Sequence, residues 1–292
     1  MVAAAMQELL GILDLEQLEH NLYRGRSPES GWWRVFGGQV IAQALIAAQR
    51  TVEPDRQVHS LHCYFMLGGD PSVPIIYQVD RIRDGGSFNT RRVVAIQHGQ
   101  AIFSLEASFQ VLEAGLEHQT EMPRDIPPPE ELLSQKELAE QLGDRIPDHV
   151  RVSWAAERVM DIKPVSIEHY VAREKLPPRQ LLWIRAAGSV PDDQALRSAV
   201  LAYISDLTLL DTSTYPHGRA SFDKDMQVAS LDHAMWFHRP IELDDWLLYV
   251  TDSPSASGAR GLNRGELYTR TGTLISSVAQ EGLIRVRTKP TK

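Results

Sequence analysis

The apolar positions in the first third of the chain change from a helical to a strand-like pattern. Residues 34–50, RVFGGQVIAQALIAAQR, are rich in Ala, Leu and Ile over a length that suits a buried helix. Gly37 and Gly38 at its start would let other backbone approach closely. The pattern then predicts four strands, separated by turns at Gly68-Gly69, Asp84-Gly85-Gly86 and His98-Gly99, over residues 58–67, 74–83, 87–97 and 101–111.

The same order returns in the last part of the chain. Residues 113–160 contain the proline-rich acidic stretch EMPRDIPPPEEL and predict a linker with a short helix near 130–142. A helix is predicted over 191–210, and strands over 163–171, 180–187, 226–237, 245–252, 259–270 and 273–286. We therefore predict an N-terminal unit (1–112), a linker (113–160) and a C-terminal unit (161–292) that carries the functional site.

This repeat predicts an α+β fold. Strands joined by hairpin-length turns form antiparallel sheets, since a parallel sheet needs longer crossover connections. Each half is expected to be a long helix wrapped by a curved antiparallel sheet. Because unpaired sheet edges would otherwise be exposed, the two halves are expected to pack together with their sheets joined edge to edge.

Composition and charge remove several classes of function. The chain has 38 acidic and 30 basic residues, so its net charge is −8. Because the basic residues are not clustered, the chain presents no positive electrostatic field that would attract nucleic acid. No stretch has the ~20 apolar residues of a membrane span, and acidic residues interrupt the N-terminus where a signal peptide would be apolar. The single cysteine, Cys63, allows neither an internal disulfide nor a cysteine-based zinc site. We predict a cytoplasmic protein with no nucleic-acid partner and no membrane insertion.

One carboxylate, Asp206, lies within the apolar run SAVLAYISDLTLL, residues 198–210. At ~100° per residue it falls among the apolar positions of the predicted helix, opposite an arc of Arg197, Ser198, Ser205 and Thr208. Ser189 to Asp192 fit a capping box at the helix start. A buried charge is costly unless it is paired or used, so Asp206 is either a structural hydrogen-bonding group or a functional acid.

Several long strings in the chain resemble one enzyme family. They are FGGQVIAQAL, HSLHCYF, DGGSFNTRRV, IRAAGSVPDD, SDLTLL, LDHAMWFHRP, SGARGLNRGELY and VAQEG, and the likeness runs from about residue 6 to the C-terminus. These strings resemble acyl-CoA thioesterase II, the TesB-type family with a double hotdog fold. The resemblance implies hydrolysis of fatty acyl-CoA to fatty acid and CoA without cofactor or metal, in a homo-oligomer. It also implies a water-positioning site of an aspartate, a Thr or Ser, and a glutamine, which fall on Asp206, Ser230 and Gln280.

Without the resemblance, the residues themselves also allow structural roles and other site assignments. Ser230 and Gln280 could be structural members of strands, and Asp232 with His233 form a competing acid/base pair. Adjacent strand residues face opposite ways, so at most one of that pair is expected to reach the site. The same alternation separates His62 from Cys63, which disfavours a cysteine nucleophile, and His233 from His238, which disfavours a metal site. Four arginines that could meet CoA phosphates are interpreted as solvated surface: Arg91, Arg92, Arg260 and Arg264.

Two other functions compete with hydrolysis. A hotdog enoyl-CoA hydratase or dehydratase would need an Asp and a His separated by a short stretch containing Asn-Pro, which this chain lacks. A non-catalytic acyl-CoA binding protein would need no base. Aligning the two predicted helices places the uncharged Gln43 about where Asp206 stands, so we expect one active site per chain, in the second half.

Overall fold

One antiparallel sheet runs through both halves of the computed structural model. The structure describes residues 4–28, 34–171 and 174–287, and within these ranges thirteen strands join the sheet. They are β1 (Glu16–Glu19), β2 (Leu22–Gly25), β3 (Arg56–Phe65), β4 (Ile75–Asp84), β5 (Phe88–Gln97), β6 (Gln100–Val111), β7 (Met160–Pro164), β8 (Arg179–Ala186), β9 (Met226–Ser230), β10 (Asp232–Phe237), β11 (Leu247–Ser257), β12 (Arg260–Thr269) and β13 (Leu274–Val286).

The strand order shows how the halves meet. It is β1-β2-β4-β5-β6-β3 in the first half and β10-β13-β12-β11-β8-β7 in the second, with β9 also paired to β13. β3 and β10 form the junction, with Ser60 opposite Trp236 and Tyr64 opposite Asp232. The predicted edge-to-edge joining of the two sheets is therefore confirmed.

The helices lie against this sheet and in the segment between the halves. They are α1 (Ala4–Leu13), α2 (Gly37–Gln49), α3 (Gln135–Leu142), α4 (Asp148–Ala155), α5 (Glu168–Val171) and α6 (Gln194–Ser205), and 3-10 turns cover Pro129–Glu131, Gly143–Arg145 and Leu209–His217. α2 and α6 pack against each other, and α2 also contacts β2 to β6. Every residue of α2 from Gly38 to Ala48 is buried, which is why its sequence is almost entirely apolar. The α+β prediction is confirmed.

Some predicted boundaries are wrong. The strand expected over 163–171 ends at Pro164, and the helical turn α5 follows. The helix expected over 191–210 begins at Gln194 and ends at Ser205. Its N-cap is Asp193, whose Oδ1 accepts hydrogen bonds from the backbone N–H groups of Ala195 (2.8 Å) and Leu196 (3.3 Å), rather than the predicted cap at Ser189. Elements α1, β1 and β2 were not predicted.

The four residues of the predicted polar arc of α6 are buried rather than exposed to solvent. Arg197, Ser198, Ser205 and Thr208 are at most 8% exposed. α6 packs against α2 and contacts β3, and its residues from Arg197 to Ser205 are all buried except Tyr203. Arg197 pairs there through Nη1 with Asp192 and Glu242, each at 3.0 Å.

Arg91 likewise contradicts its interpretation as solvated surface. It is 1% exposed, and its guanidinium donates to Thr51 Oγ1 at 2.8 Å and to Asp84 Oδ1 at 2.5 Å. Arg260 and Arg264 do lie on the surface, where they pair with Glu281 and Asp252. Arg91 therefore stabilises the first half from inside.

The segment between the halves holds two α-helices, α3 and α4, where one was predicted. α3 begins with a capping box in which Ser134 and Glu137 exchange hydrogen bonds. Leu138, Leu142, Val150 and Trp154 pack with Tyr170 into a separate small core. The division at 112/113 and 160/161 stays a prediction. Among the described residues no helix is long and apolar enough to cross a membrane.

Candidate active site

Asp206 is the C-cap residue of α6, in the turn between that helix and the 3-10 helix Leu209–His217. Asp206 as a whole residue is partly exposed, whereas its neighbours Ser205, Thr208 and Leu209 are buried. The run SAVLAYISDLTLL therefore carries an acid to the end of a buried helix. A buried helix end is a rigid base for such a group.

The structure brings the three predicted site residues together. Ser230 Oγ donates to Asp206 Oδ1 at 3.3 Å, and Gln280 Nε2 donates to the same oxygen at 2.5 Å. Ser230 ends β9 and Gln280 lies in β13, which pairs with β9 and presents Gly282 opposite Ser230. Gln280 is only 1% exposed, so its amide is part of the protein interior.

Burial and hydrogen bonding act on the Asp206 carboxyl in opposite directions. Removal from water raises its pKa to about 6, and hydrogen bonds from Gln280, Ser230 and the backbone of Gly38 oppose part of that rise. The group is therefore mostly ionised at neutral pH but far more basic than an ordinary aspartate. That is the property required of a general base that works near pH 7.

The first half supplies one wall of this site. Gly38, in the first turn of α2, donates its backbone N–H to the Asp206 carboxylate. A Cβ added to Gly37 would lie 2.7 Å from Asp206 Oδ2 and 2.9 Å from the ring of Phe65, closer than such contacts allow. The glycine pair therefore lets the positive end of α2 approach the carboxylate, a favourable placement for negative charge.

His233 is the site neighbour that sequence reasoning did not assign. Gln280 Nε2 lies 3.2 Å from His233 Nδ1, and Ser205 Oγ lies 3.0 Å from His233 Nε2. Asp232 turns away, and its Oδ1 accepts from the backbone N–H of Glu281 at 2.6 Å. Strict alternation would place Ser230 and His233 on opposite faces, because they are three residues apart.

An irregularity in the sheet explains why both residues reach the site. The predicted strand 226–237 is interrupted at Leu231, and the pairing with β13 shifts by one residue between Ser230 opposite Gly282 and Ala234 opposite Ala279. Such a bulge re-aims the side chains beyond it. The Asp-His pair in LDHAMWFHRP was the available signal for His233, but nothing in the sequence marks the register shift.

Cys63 has the environment of a structural thiol. It is 3% exposed, and its Sγ donates to the backbone carbonyl of His233 at 3.2 Å. Burial raises its pKa well above the usual value, which disfavours the thiolate. His62 lies on the exposed face of β3, as the alternation predicts.

Gln43, which the helix alignment placed about where Asp206 stands, is fully hydrogen-bonded in the first half. Its Nε2 donates to the carbonyls of Ile12 (2.8 Å) and Arg26 (2.9 Å), and its Oε1 accepts from Tyr77 OH at 2.7 Å. In the adjoining sheet, Leu61 of β3 stands opposite Ala107 of β6. This buried apolar pair occupies the place that His233 and Gln280 hold in β10 and β13 of the second half.

Comparison with known proteins places this architecture in a family. Residues 28–110 match the family described as "Acyl-CoA thioesterase N-terminal domain", and residues 150–283 match "Acyl-CoA thioesterase". Acyl-coenzyme A thioesterase 8 of Mus musculus is 45% identical over 289 residues, which cover 94% of this chain and 88% of the mouse protein.

Solved structures agree with that assignment. An acyl-CoA thioesterase II from Mycobacterium marinum is 43% identical, with a TM-score of 0.79 and coverage of 96% of this chain and 99% of that one. A protein with a hot dog fold from Alicyclobacillus acidocaldarius is 16% identical, with a TM-score of 0.78 and the same coverage, and shows the fold alone. The predicted double hotdog fold and the predicted family are both confirmed: the chain belongs to the acyl-CoA thioesterase family.

Proposed function

We propose that this protein hydrolyses fatty acyl-CoA thioesters to free CoA and a fatty acid, using a water molecule that Asp206 activates. The observation that carries the proposal is the convergence of a hydroxyl and an amide nitrogen on one oxygen of a carboxylate with a raised pKa. The names of the relatives, which describe acyl-CoA thioesterases, support the substrate class.

In this proposal the carboxylate of Asp206 takes a proton from water while the water oxygen bonds to the thioester carbonyl carbon. Collapse of the tetrahedral intermediate breaks the C–S bond, the CoA sulfur leaves as a thiolate, and the proton that Asp206 took from water converts this thiolate to the thiol and restores the carboxylate. Ser230 and Gln280 hold the carboxylate and the water in line for attack, which lowers the entropic part of the barrier. Water is the only co-reactant, so the absence of a cofactor and of a metal stays our expectation.

Two alternatives remain as outcomes of the test. A hydratase or dehydratase on this fold would act on the α and β carbons of an enoyl-CoA, and a non-catalytic protein would bind acyl-CoA without turnover. The basic carboxylate favours hydrolysis over simple binding, because burying an unneeded charge is costly. A cytoplasmic location and association of whole chains into a homo-oligomer also stay predictions.

The deciding experiment is the Asp206→Asn variant, assayed by thiol release from acyl-CoA substrates of increasing chain length. The amide keeps the size of the side chain and removes the base, so kcat should fall by about 10²–10⁴-fold while substrate binding persists. Asp232→Asn is the matched control, since that carboxylate lies nearby and accepts a backbone N–H instead. Unchanged hydrolysis by Asp206→Asn would rule out this role, and enoyl-CoA hydration by the wild type would favour the first alternative.

A further inference from the structure

His233 is almost completely buried and makes hydrogen bonds at both ring nitrogens. It is 1% exposed, with Gln280 Nε2 at 3.2 Å from Nδ1 and Ser205 Oγ at 3.0 Å from Nε2. Gln280 is the amide that contacts Asp206, and Ser205 directly precedes Asp206 in the chain. The imidazole therefore connects two of the groups that surround the carboxylate.

These hydrogen bonds determine the orientation of the Gln280 amide and the tautomer of His233. Gln280 Nε2 lies 2.5 Å from a carboxylate oxygen, which only accepts, so the amide nitrogen and not its oxygen must face Asp206. The second hydrogen of that nitrogen points to His233 Nδ1, which must then be unprotonated. The ring proton is consequently on Nε2 and is donated to Ser205 Oγ, whose own hydrogen goes to the Ala202 carbonyl at 2.9 Å.

This arrangement leaves one acceptor unused. Gln280 Oε1 is buried and has no hydrogen-bond partner among the described residues. A buried amide oxygen without a donor is costly, and a water O–H that enters the site with substrate would satisfy it. If the amide turned over, Oε1 would face the Asp206 carboxylate and this acceptor would be lost.

We propose that His233 is a positioning residue: as a neutral imidazole protonated on Nε2, it holds the Gln280 amide nitrogen toward Asp206 so that Oε1 accepts a hydrogen bond from the attacking water. The inference rests on the proposed function, because it concerns the water that Asp206 activates. Burial lowers the pKa of His233 to about 4, so the ring is neutral when Asp206 is ionised.

Two observations separate this role from others. Both ring nitrogens are occupied by Gln280 and Ser205, so His233 is not itself the base that takes the water proton. In the first half the corresponding pair is Leu61 and Ala107, which are 0% and 1% exposed. The fold therefore accommodates an apolar pair at this place. The sheet does not require an imidazole there, so we attribute His233 to the needs of the site.

Three substitutions at His233 test the proposal, with kcat and KM measured separately. His233→Asn places an amide oxygen near the position of Nδ1 and keeps an acceptor for Gln280, whereas His233→Gln reaches toward Ser205 and removes that acceptor. His233→Leu copies the first half and removes both contacts. We expect His233→Gln and His233→Leu to lower kcat by about 10–100-fold with KM little changed, and His233→Asn to recover kcat to within about fivefold of wild type.

A second measurement keeps the result independent of stability. In a Gln280→Ala background, His233→Gln should lower kcat by less than about twofold further, because its effect acts through the missing amide. If His233→Leu does not fold, the comparison between the Asn and Gln variants still decides. Equal kcat values for the Asn and Gln variants, or full additivity with Gln280→Ala, would overturn the positioning role.

The outcome is distinguishable from a failure of the proposed function. If Asp206→Asn abolishes hydrolysis while all His233 variants keep the wild-type kcat, only the positioning role of His233 is lost. If Asp206→Asn remains fully active, the water-activating role of Asp206 is wrong whatever the His233 variants do.

Discussion

The two halves of this chain use a similar framework around a polar side chain from the central helix, but they treat that side chain differently. Gln43 is 0% exposed and has a partner for each of its polar atoms. Asp206 is partly exposed and basic, and the Oε1 atom of its neighbour Gln280 has no hydrogen-bond donor in the part of the chain that the structure describes. The difference teaches that a polar group whose hydrogen bonds are all made stabilises a fold, whereas a basic carboxylate beside an amide with an unsatisfied oxygen is available for chemistry.

The largest expected effect on stability concerns Gln43, which stabilises the first half. Gln43→Leu keeps the side-chain volume and leaves Tyr77 OH and the carbonyls of Ile12 and Arg26 without this partner. We expect the free energy of unfolding to fall by about 2–4 kcal/mol, with kcat per folded molecule unchanged.

Urea unfolding and active-site titration measure these two quantities. Gln49→Leu is the control on the same helix, since Gln49 Oε1 has no hydrogen-bond partner among the described residues and its loss should cost less. A large loss of kcat in folded Gln43→Leu would mean that the first half takes part in the chemistry after all.

The next effect concerns the two neutral partners of Asp206. Ser230→Ala and Gln280→Ala should each lower kcat by about 10–100-fold, or roughly 1.4–2.7 kcal/mol, less than Asp206→Asn. The two groups orient one carboxylate and one water, so the double variant should lose less than the product of the single losses. Steady-state kinetics of the four proteins measures this. Strict additivity would mean that the groups act independently.

The pH dependence of hydrolysis should reflect the raised pKa of Asp206. The carboxylate must be ionised to accept a proton, so kcat/KM should be level above about pH 6 and fall about tenfold per pH unit below it. Gln43 has no proton to exchange, and the first half should add no second inflection. A profile with its inflection near pH 4 would indicate an aspartate of ordinary basicity.

The smallest effect is a gain in stability from removing the charge. The folded-state pKa of about 6 lies above the ordinary 3.8, so the ionised group destabilises the fold fully above about pH 6 and not at all below about pH 4. Asp206→Asn should therefore raise the free energy of unfolding by about 1–2 kcal/mol at pH 7.5, less than the whole shift because the group is partly exposed. At pH 4 the difference should disappear. A lower stability of the variant at pH 7.5 would make Asp206 a structural carboxylate.

Local sequence patterns were sufficient for some of these features and not for others. The Ala-rich run 34–50 and the alternation in strands such as Phe88–Gln97 predict α2 and the meander, because burial on one face leaves a periodic trace. The four-residue strands β1 and β2 are too short to show such a period. The end of α6 at Ser205 was missed because the apolar run continues into a 3-10 helix.

Some residues of the candidate site can also be predicted from local sequence, and others cannot. Asp206 is visible from local sequence, since a carboxylate inside an apolar run needs an explanation. Ser230 and Gln280 were identified only through the family resemblance, because they approach Asp206 from strands 24 and 74 residues away. His233 depends on a one-residue register shift, which is a property of two paired strands and leaves no mark in either one alone.

The β3–β10 junction has a consequence for how the site responds to dilution. Asp206 comes from the second half and the N–H of Gly38 from the first, and backbone pairing within one chain joins the two. In a pair of separate subunits the fraction of assembled sites would depend on protein concentration, whereas covalent linkage gives the halves a fixed and high effective concentration. Each chain thus carries both the Asp206 carboxylate and the Gly37-Gly38 pair that contacts it, at any concentration.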